Sequence, residues 1–191
     1  MTRVFLLGMA VLGLQGPLPS TCEPQACLAD IAQRTPVAQV PLSEADAVGQ
    51  WTDGPGLTGS ELYLFPDHTF IVTHWGCLEP ETIHDKGRWS VAGGLVLLTP
   101  DSDVTWTERR DRRFLALRNA ADQPVRLMGL DWSFEAFVSL VDAEPESGAG
   151  YFTTVSLVRL AKWTPSKARR VKAGLMKRAW RPEYFAETPT K

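Results

Sequence analysis

The chain has little that would let it cross a membrane. Its one sustained apolar run, Val4 to Leu14, is too short to span a bilayer comfortably. Cysteine is scarce: Cys22, Cys27 and Cys77 are the three, so they cannot all pair with one another. Catalytic motifs are missing as well. The absence of Gly-x-Ser-x-Gly removes the nucleophile elbow of the common hydrolases, and the absence of Gly-x4-Gly-Lys removes the P-loop. Gly148-Ala149-Gly150 precedes an expected strand, whereas a dinucleotide loop follows one. No acidic residue occurs between Lys162 and Arg181.

What is present is an ordinary globular composition, 44% hydrophobic and 22% charged over 191 residues, enough for one domain with extensions. Residues 1–20 have the order of a signal peptide: Arg3 as the basic start, Val4 to Leu14 as the apolar centre, and Gly16 to Ser20 before a cut near Ser20. The expectation is an exported protein, periplasmic or extracellular, with no transmembrane span after cleavage. Pro19-Ser20-Thr21 lacks the usual residues ahead of an acylated cysteine, so a lipid anchor at Cys22 is not expected. In an oxidising compartment Cys77 is expected to bridge to Cys22 or Cys27, with a local Cys22 to Cys27 loop as the competitor.

Residues 21–47, punctuated by Pro24, Pro36 and Pro41, read as a leader or linker in which only Glu23 to Gln33 suits a helical turn. Residues 48–160 read as the β-rich domain. Leu62 and Leu64 alternate on one face, Pro66-Asp67-His68 makes a turn, and Phe70, Val72 and His74 alternate on the returning strand. Strands from Asp85 to Val91 and Leu95 to Thr99 join through Ala92-Gly93-Gly94. Val104 to Thr107 and Arg113 to Leu117 read as a further hairpin with a solvated tip at Glu108 to Arg112. From Val125 the pattern fits either period; a strand to Leu130 and a short helix to Val141, with Ser133 as its cap, is the reading adopted, Asp131 to Val141 as strand being the alternative. Glu144 to Gly150 reads as a loop and Tyr151 to Leu160 as the last strand. The expected fold is mainly β: a small antiparallel barrel or strongly bent sheet of about seven strands, with one short inserted helix and a basic amphipathic helix at the C-terminus.

The residues GQWTDGPGLTGSELYLFPDHTFIVTHWGCLEPETIHDKGRWSVAGGLVLLTP and TWTERRDRRFLAL resemble a group of uncharacterised exported bacterial β-rich proteins. Those carry a Gly-x-Tyr/Trp and then a Gly-Asp-Gly-Leu-Gly opening, a Pro-Asp-Gly turn, a Gly-Cys and a Gly-x-Trp/Tyr-like third strand. The chain departs from the group at Pro55 and at His68, which stands in place of the turn glycine. The resemblance implies export and β-structure and no chemistry. The strand rhythm and the Gly49-x-Trp51 motif are also similar to lipocalin-like small barrels.

His68, His74, Cys77 and His84 are residue types that bind zinc or copper, but their spacing matches no metal motif. His74 continues the inward face of Phe70 and Val72, and Asp85 that of Gly87 and Trp89. His68 falls in a turn and His84 on the opposite face, so His68 and His84 are expected at the surface. Trp75, in an expected Trp75 to Thr82 loop, then stands over an inward His74, which makes His74, Trp75 and Asp85 a candidate ligand site at a barrel mouth. Ser60, His74 and Asp85 are the residue types of a hydrolase triad, without any supporting motif. The expectation is therefore a non-enzymatic binding or envelope-associated module, with no catalytic residues, metal site or cofactor assigned. A metal- or small-ligand-binding protein using His74, and a hydrolase of unknown class, are the alternatives.

Residues 161–191 read as a basic helical tail. Ser166 to Trp180 is expected to be a helix with Ala168, Val171, Leu175 and Ala179 as its apolar stripe, stopped by Pro182. Either the stripe docks on the acidic barrel, or Arg169, Arg170, Lys177 and Arg178 meet an anionic envelope surface. Nucleic acid is not an expected partner of an exported chain.

Overall fold

Alternation along successive hairpins, broken by a bulge and by a strand buried on both faces, builds a closed wall. The computed structural model describes residues 22–54, 56–101, 111–119 and 123–181. The expected signal peptide, the expected Val104 to Thr107 strand and most of the charged tip expected after it lie outside the described residues. The chain opens with α1 (Pro24–Arg34), β1 (Ala38–Gln39) and α2 (Glu44–Ala47). The wall follows as β2 (Gly49–Thr52), β3 (Thr58–Leu64), β4 (Thr69–Gly76), β5 (Glu79–Ala92), β6 (Leu95–Pro100), β7 (Arg113–Arg118) and β8 (Arg126–Gly129). Then come α3 (Trp132–Ala143), a 3-10 turn over Pro145–Ser147, α4 (Gly148–Val155), β9 (Leu157–Ala161) and α5 (Pro165–Leu175).

From β2 to β9 every strand pairs antiparallel with the next, and β9 returns to β2, Trp51 standing opposite Arg159. The result is an eight-stranded up-and-down barrel, with β1 added on β7. Glycines close the β5–β6 turn as expected, Gly93 and Gly94 both having positive φ (59° and 80°). At the β3–β4 turn His68 adopts φ 59°, the conformation a turn glycine would supply, and its ring stacks on Trp89 at 5.3 Å.

Three apolar layers result. Inward residues, among them Trp51, Leu62, Phe70, Trp89 and Phe114, fill the barrel together with Leu42 and Ala47 from the segment before it. α2 therefore plugs the end at which β2 begins, and the Trp51 indole N–H fastens it by donating to the Ala47 carbonyl at 2.9 Å. Outward Leu115, Leu117, Met128 and Leu130 carry a second layer with Cys27 and Ile31 of α1, Phe137 of α3 and Phe152 of α4. Outward Tyr63, Phe65, Ile71 and Ile83 carry a third with Trp163 and with Ala168 and Leu175 of α5. Phe114, Leu115, Ala116 and Leu117 are all buried because β7 is covered on both faces.

Several expectations are corrected. In the 21–47 segment α1 matches the helical turn expected over Glu23 to Gln33, but a second helix and a strand follow it, and Cys27, Ile31 and Ala47 are fully buried. Tyr151 to Val155 is helical: Gly148 and Phe152, one helical turn apart, are the buried residues of α4, and burial of Phe152 against the outer face of β7 and β8 overrides the strand preference of its threonines. α3 starts at Trp132, so Ser133 lies inside it. The cap comes from across the fold, where Asp111 accepts hydrogen bonds from the backbone N–H groups of Asp131 and Ser133 and from the Ser133 hydroxyl. Burial pushes the Asp111 carboxyl up to about 6 against the opposing pull of the Ser133 hydrogen bonds. Cys77 is exposed and free, while Cys22 and Cys27 stand at disulfide distance with Cα atoms 5.9 Å apart. The reason is topological: Cys22 and Cys27 lie with the layer on β7 and β8, whereas Cys77 sits at the turn between β4 and β5.

α5 also ends early. It starts at the Thr164 cap, whose hydroxyl accepts from the Lys167 N–H, and stops at Leu175. β5 continues beyond the reach of β6, leaving backbone groups around Ile83 open, and the chain after α5 satisfies them. The Ile83 N–H donates to the Ala179 carbonyl at 2.8 Å and the Arg181 N–H donates to the Ile83 carbonyl at 2.9 Å, so Trp180 lies in an extended bridge. No helix among the described residues is long and apolar enough to cross a membrane.

Candidate functional site

The barrel end opposite α2 is polar. Phe70 and Val72 of β4 face inward with the apolar core, and the next inward residue is His74, directly opposite Ser60 of β3. The Ser60 hydroxyl and His74 Nδ1 lie within hydrogen-bonding distance at 3.3 Å. On the other side His74 pairs with Thr82 of β5 and Val72 with Asp85. Asp85 is buried and accepts a hydrogen bond from the Lys86 N–H at 2.8 Å.

Between Asp85 and Ile83 the register against β4 shifts, because β5 carries one residue more than its partner. His84 is that residue. The bulge takes it off the expected surface and into the wall, 1% exposed, with Nε2 2.6 Å from the Thr82 hydroxyl and its ring 5.5 Å from that of His74. A second histidine, which alternation alone sends outward, thus joins the site. Asp53 stands at the rim and accepts from the Ser60 N–H at 3.0 Å, its carboxyl pushed up by burial.

Trp75 does not take the predicted place. β4 runs unbroken through Gly76, so Trp75 points to the outer face, where it lies against Gly59 so closely that a Cβ there would stand 2.8 Å from the indole. His68 is at the plugged end of the barrel and Cys77 in an exposed turn, so neither joins His74 and His84. Among the described residues no three of His, Cys, Asp and Glu come together so as to hold a metal ion.

The arrangement therefore consists of a hydroxyl, two imidazoles, a second hydroxyl and a carboxylate, contributed by β3, β4 and β5 and backed by an apolar core. Ser60 opposite His74 is legible from the hairpin register; His84 needs the bulge, which leaves no mark in the hydropathy pattern.

The second predicted surface is split by pairing. Ala168, Val171 and Leu175 dock on the barrel as one of the two expected outcomes. Three of the tail's cations are taken up by acids: Lys162 by Asp46 at 3.0 Å, Lys172 by Asp67 at 2.7 Å, Arg178 by Glu81 at 3.0 Å. Arg169, Arg170 and Lys177 are exposed. Beneath this face the Tyr63 hydroxyl meets both Glu61 and Glu81, and burial, then Glu61, pushes its pKa far up. No family model matches the chain, and neither the curated proteins nor the solved structures contain a match to it.

Proposed function

We propose that the protein is an exported, non-enzymatic binding module of lipocalin-like build, and that a small ligand with hydrogen-bonding groups is held at the polar barrel end. The observation that carries this reading is the cluster of Ser60, His74, Thr82, His84 and Asp85 at the barrel end opposite α2. An eight-stranded barrel has an interior just wide enough to be filled by side chains or to hold one small ligand. Here apolar side chains fill the plugged half and the polar groups occupy the other. Buried polar side chains that a core does not need are retained at a cost, and a pocket uses such groups to orient a ligand. The Gly-x-Trp on the first barrel strand and the closure by next-neighbour strands support the lipocalin-like comparison. Export rests on the Arg3 and Val4 to Leu14 leader and on the Cys22 and Cys27 pair.

Native mass spectrometry of protein recovered from the periplasm or medium, followed by a thermal-shift screen of small polar metabolites, tests the reading. The expected result is a retained or stabilising small molecule whose effect is lost in His74→Ala while the thermal midpoint without ligand moves only a few degrees. A protein that is bare as isolated and is stabilised by no compound, or by compounds equally well after His74→Ala, would remove it. The Ser60 hydroxyl beside His74 is also the first step of a hydrolase geometry, so the screen includes ester turnover. Turnover abolished by Ser60→Ala would favour that second reading instead.

A further inference from the structure

A cavity lies outside the barrel, away from its polar end. It occupies about 280 Å³ between the β3–β4 turn and α5. Its walls are carbon: Phe65 and Pro66 on the turn side, Pro165 and Ala168 on the helix side. Two of these four are prolines, and Phe65 is backed by the Trp163 ring at 5.4 Å, so the walls are stiff.

Three charges stand at the rim, Asp67, Arg169 and Lys172. Lys172 is already committed: its ammonium donates to Asp67 at 2.7 Å and to the Thr69 hydroxyl at 2.6 Å, and lies 5.5 Å from the centre of the Phe65 ring. That contact also ties the two sides of the cleft together, so the space is preformed. The Arg169 side chain makes no ion pair or hydrogen bond among the described residues. The rim therefore carries one uncompensated positive charge, on the side chain whose planar fork matches a carboxylate in a bidentate way.

We propose that this cleft binds a small organic monocarboxylate, its apolar body between Pro66 and Pro165 and its carboxylate on Arg169. The size fits: the cavity falls just under the roughly 300–1,000 Å³ of pockets that take drug-sized ligands, so the body is a single ring or a short alkyl chain. The sign fits as well, since a cationic ligand would meet Arg169 and a dianion would lack a second free partner. The site is distinct from the barrel end and stands whether or not that end binds anything.

Titration of the ¹⁵N-labelled protein with benzoate and with hexanoate, read by amide chemical shifts, is the test. Saturable shifts are expected in Asp67 to Thr69 and Ser166 to Lys172. Arg169→Gln should weaken both ligands by about tenfold or more, the scale of a lost charge-assisted bond, and neutral benzamide should bind weaker than benzoate by a similar factor. Arg170→Gln, a neighbouring exposed arginine outside the cleft, should change binding by less than about twofold, as for other surface charges at a distance. Shifts that do not saturate, or that fall elsewhere, overturn the assignment. So does equal loss with Arg169→Gln and Arg170→Gln, the pattern of diffuse attraction to an anionic surface, for which binding to phosphatidylglycerol vesicles with the same dependence on both arginines would be the companion result.

Discussion

Gly49 and Gly87 do the same work in the two Gly-x-Trp motifs. A Cβ on Gly49 would stand 2.6 Å from the Ala161 carbonyl oxygen of β9, and one on Gly87 would overlap the Thr99 carbonyl of β6. The missing side chain lets the neighbouring strand close in while the tryptophan two residues on enters the core, Trp51 and Trp89 being 0% and 3% exposed. Over Trp51 lies the Arg159 guanidinium, 5.0 Å from the ring centre, donating as well to the Asp46 carbonyl at 2.7 Å. Gly174, by contrast, sits within α5, where an added methyl group would have nothing within 4 Å. Replacing Gly49 or Gly87 by Ala should therefore cost about 1–3 kcal/mol through overpacking, whereas Gly174→Ala should add up to about 1 kcal/mol through helix propensity. Urea unfolding of the three variants checks the opposite signs. The motif is visible in the sequence, but the carbonyl that demands Gly49 belongs to a strand far along the chain, whereas that facing Gly87 belongs to the next strand. For the same reason alternation misplaces His84: a bulge is a fact about two strands, and one strand's pattern cannot report it.

At the scale of elements, hairpins are legible because turn chemistry and period agree within a few residues, as at Pro66 to His68 and Gly93-Gly94. Elements whose identity depends on a partner are not. α4 contains Tyr151 to Val155, which favour strands, and is held helical by Phe152 on the outer wall; α3 is capped by Asp111, twenty-odd residues away in the chain. The periodicity finds α5 but overruns its end, since the open β5 edge claims Ala179 to Arg181 for backbone pairing. Its docking has a measurable pH dependence. Burial acts against the Asp67 carboxylate, yet the hydrogen bonds from Lys172 and Thr69 outweigh it and hold the group at about 2, below its ordinary 3.8. A carboxyl depressed in the folded state contributes stability at pH above its unfolded value and loses it as pH falls toward its folded value. Wild type should therefore exceed Asp67→Asn in thermal midpoint at neutral pH, and the gap should close between about pH 4 and pH 2. A gap as wide at pH 2 as at neutral pH, or absent at neutral pH, would mean that the Lys172 strap does not hold α5.

For the molecule as a whole, closure of the barrel is within reach of the sequence, as strand count and the two Gly-x-Trp motifs favour it; the sheath of helices is not, because a wall strand buried on both faces, such as Phe114 to Leu117, loses the alternation that reveals which side is which. The order of the wall has a consequence in time. Seven of its eight seams join strands that follow one another, while the β2–β9 seam joins Trp51 to Arg159 across most of the described chain. Loop-closure entropy makes that seam the last to be worth forming, so it should be absent from the folding transition state. A perturbation there is then felt on leaving the native state and hardly at all on reaching it. In stopped-flow chevrons Gly49→Ala, at the seam, should put its destabilisation into faster unfolding with refolding changed by less than about twofold, and Gly87→Ala, inside a consecutive pair, should slow refolding. Refolding slowed mainly by Gly49→Ala would reverse that order of events. The ring of hydrogen bonds that leaves the native barrel without a beginning or an end would thus still have both when the chain folds: a meander that grows strand by strand, and a final stitch.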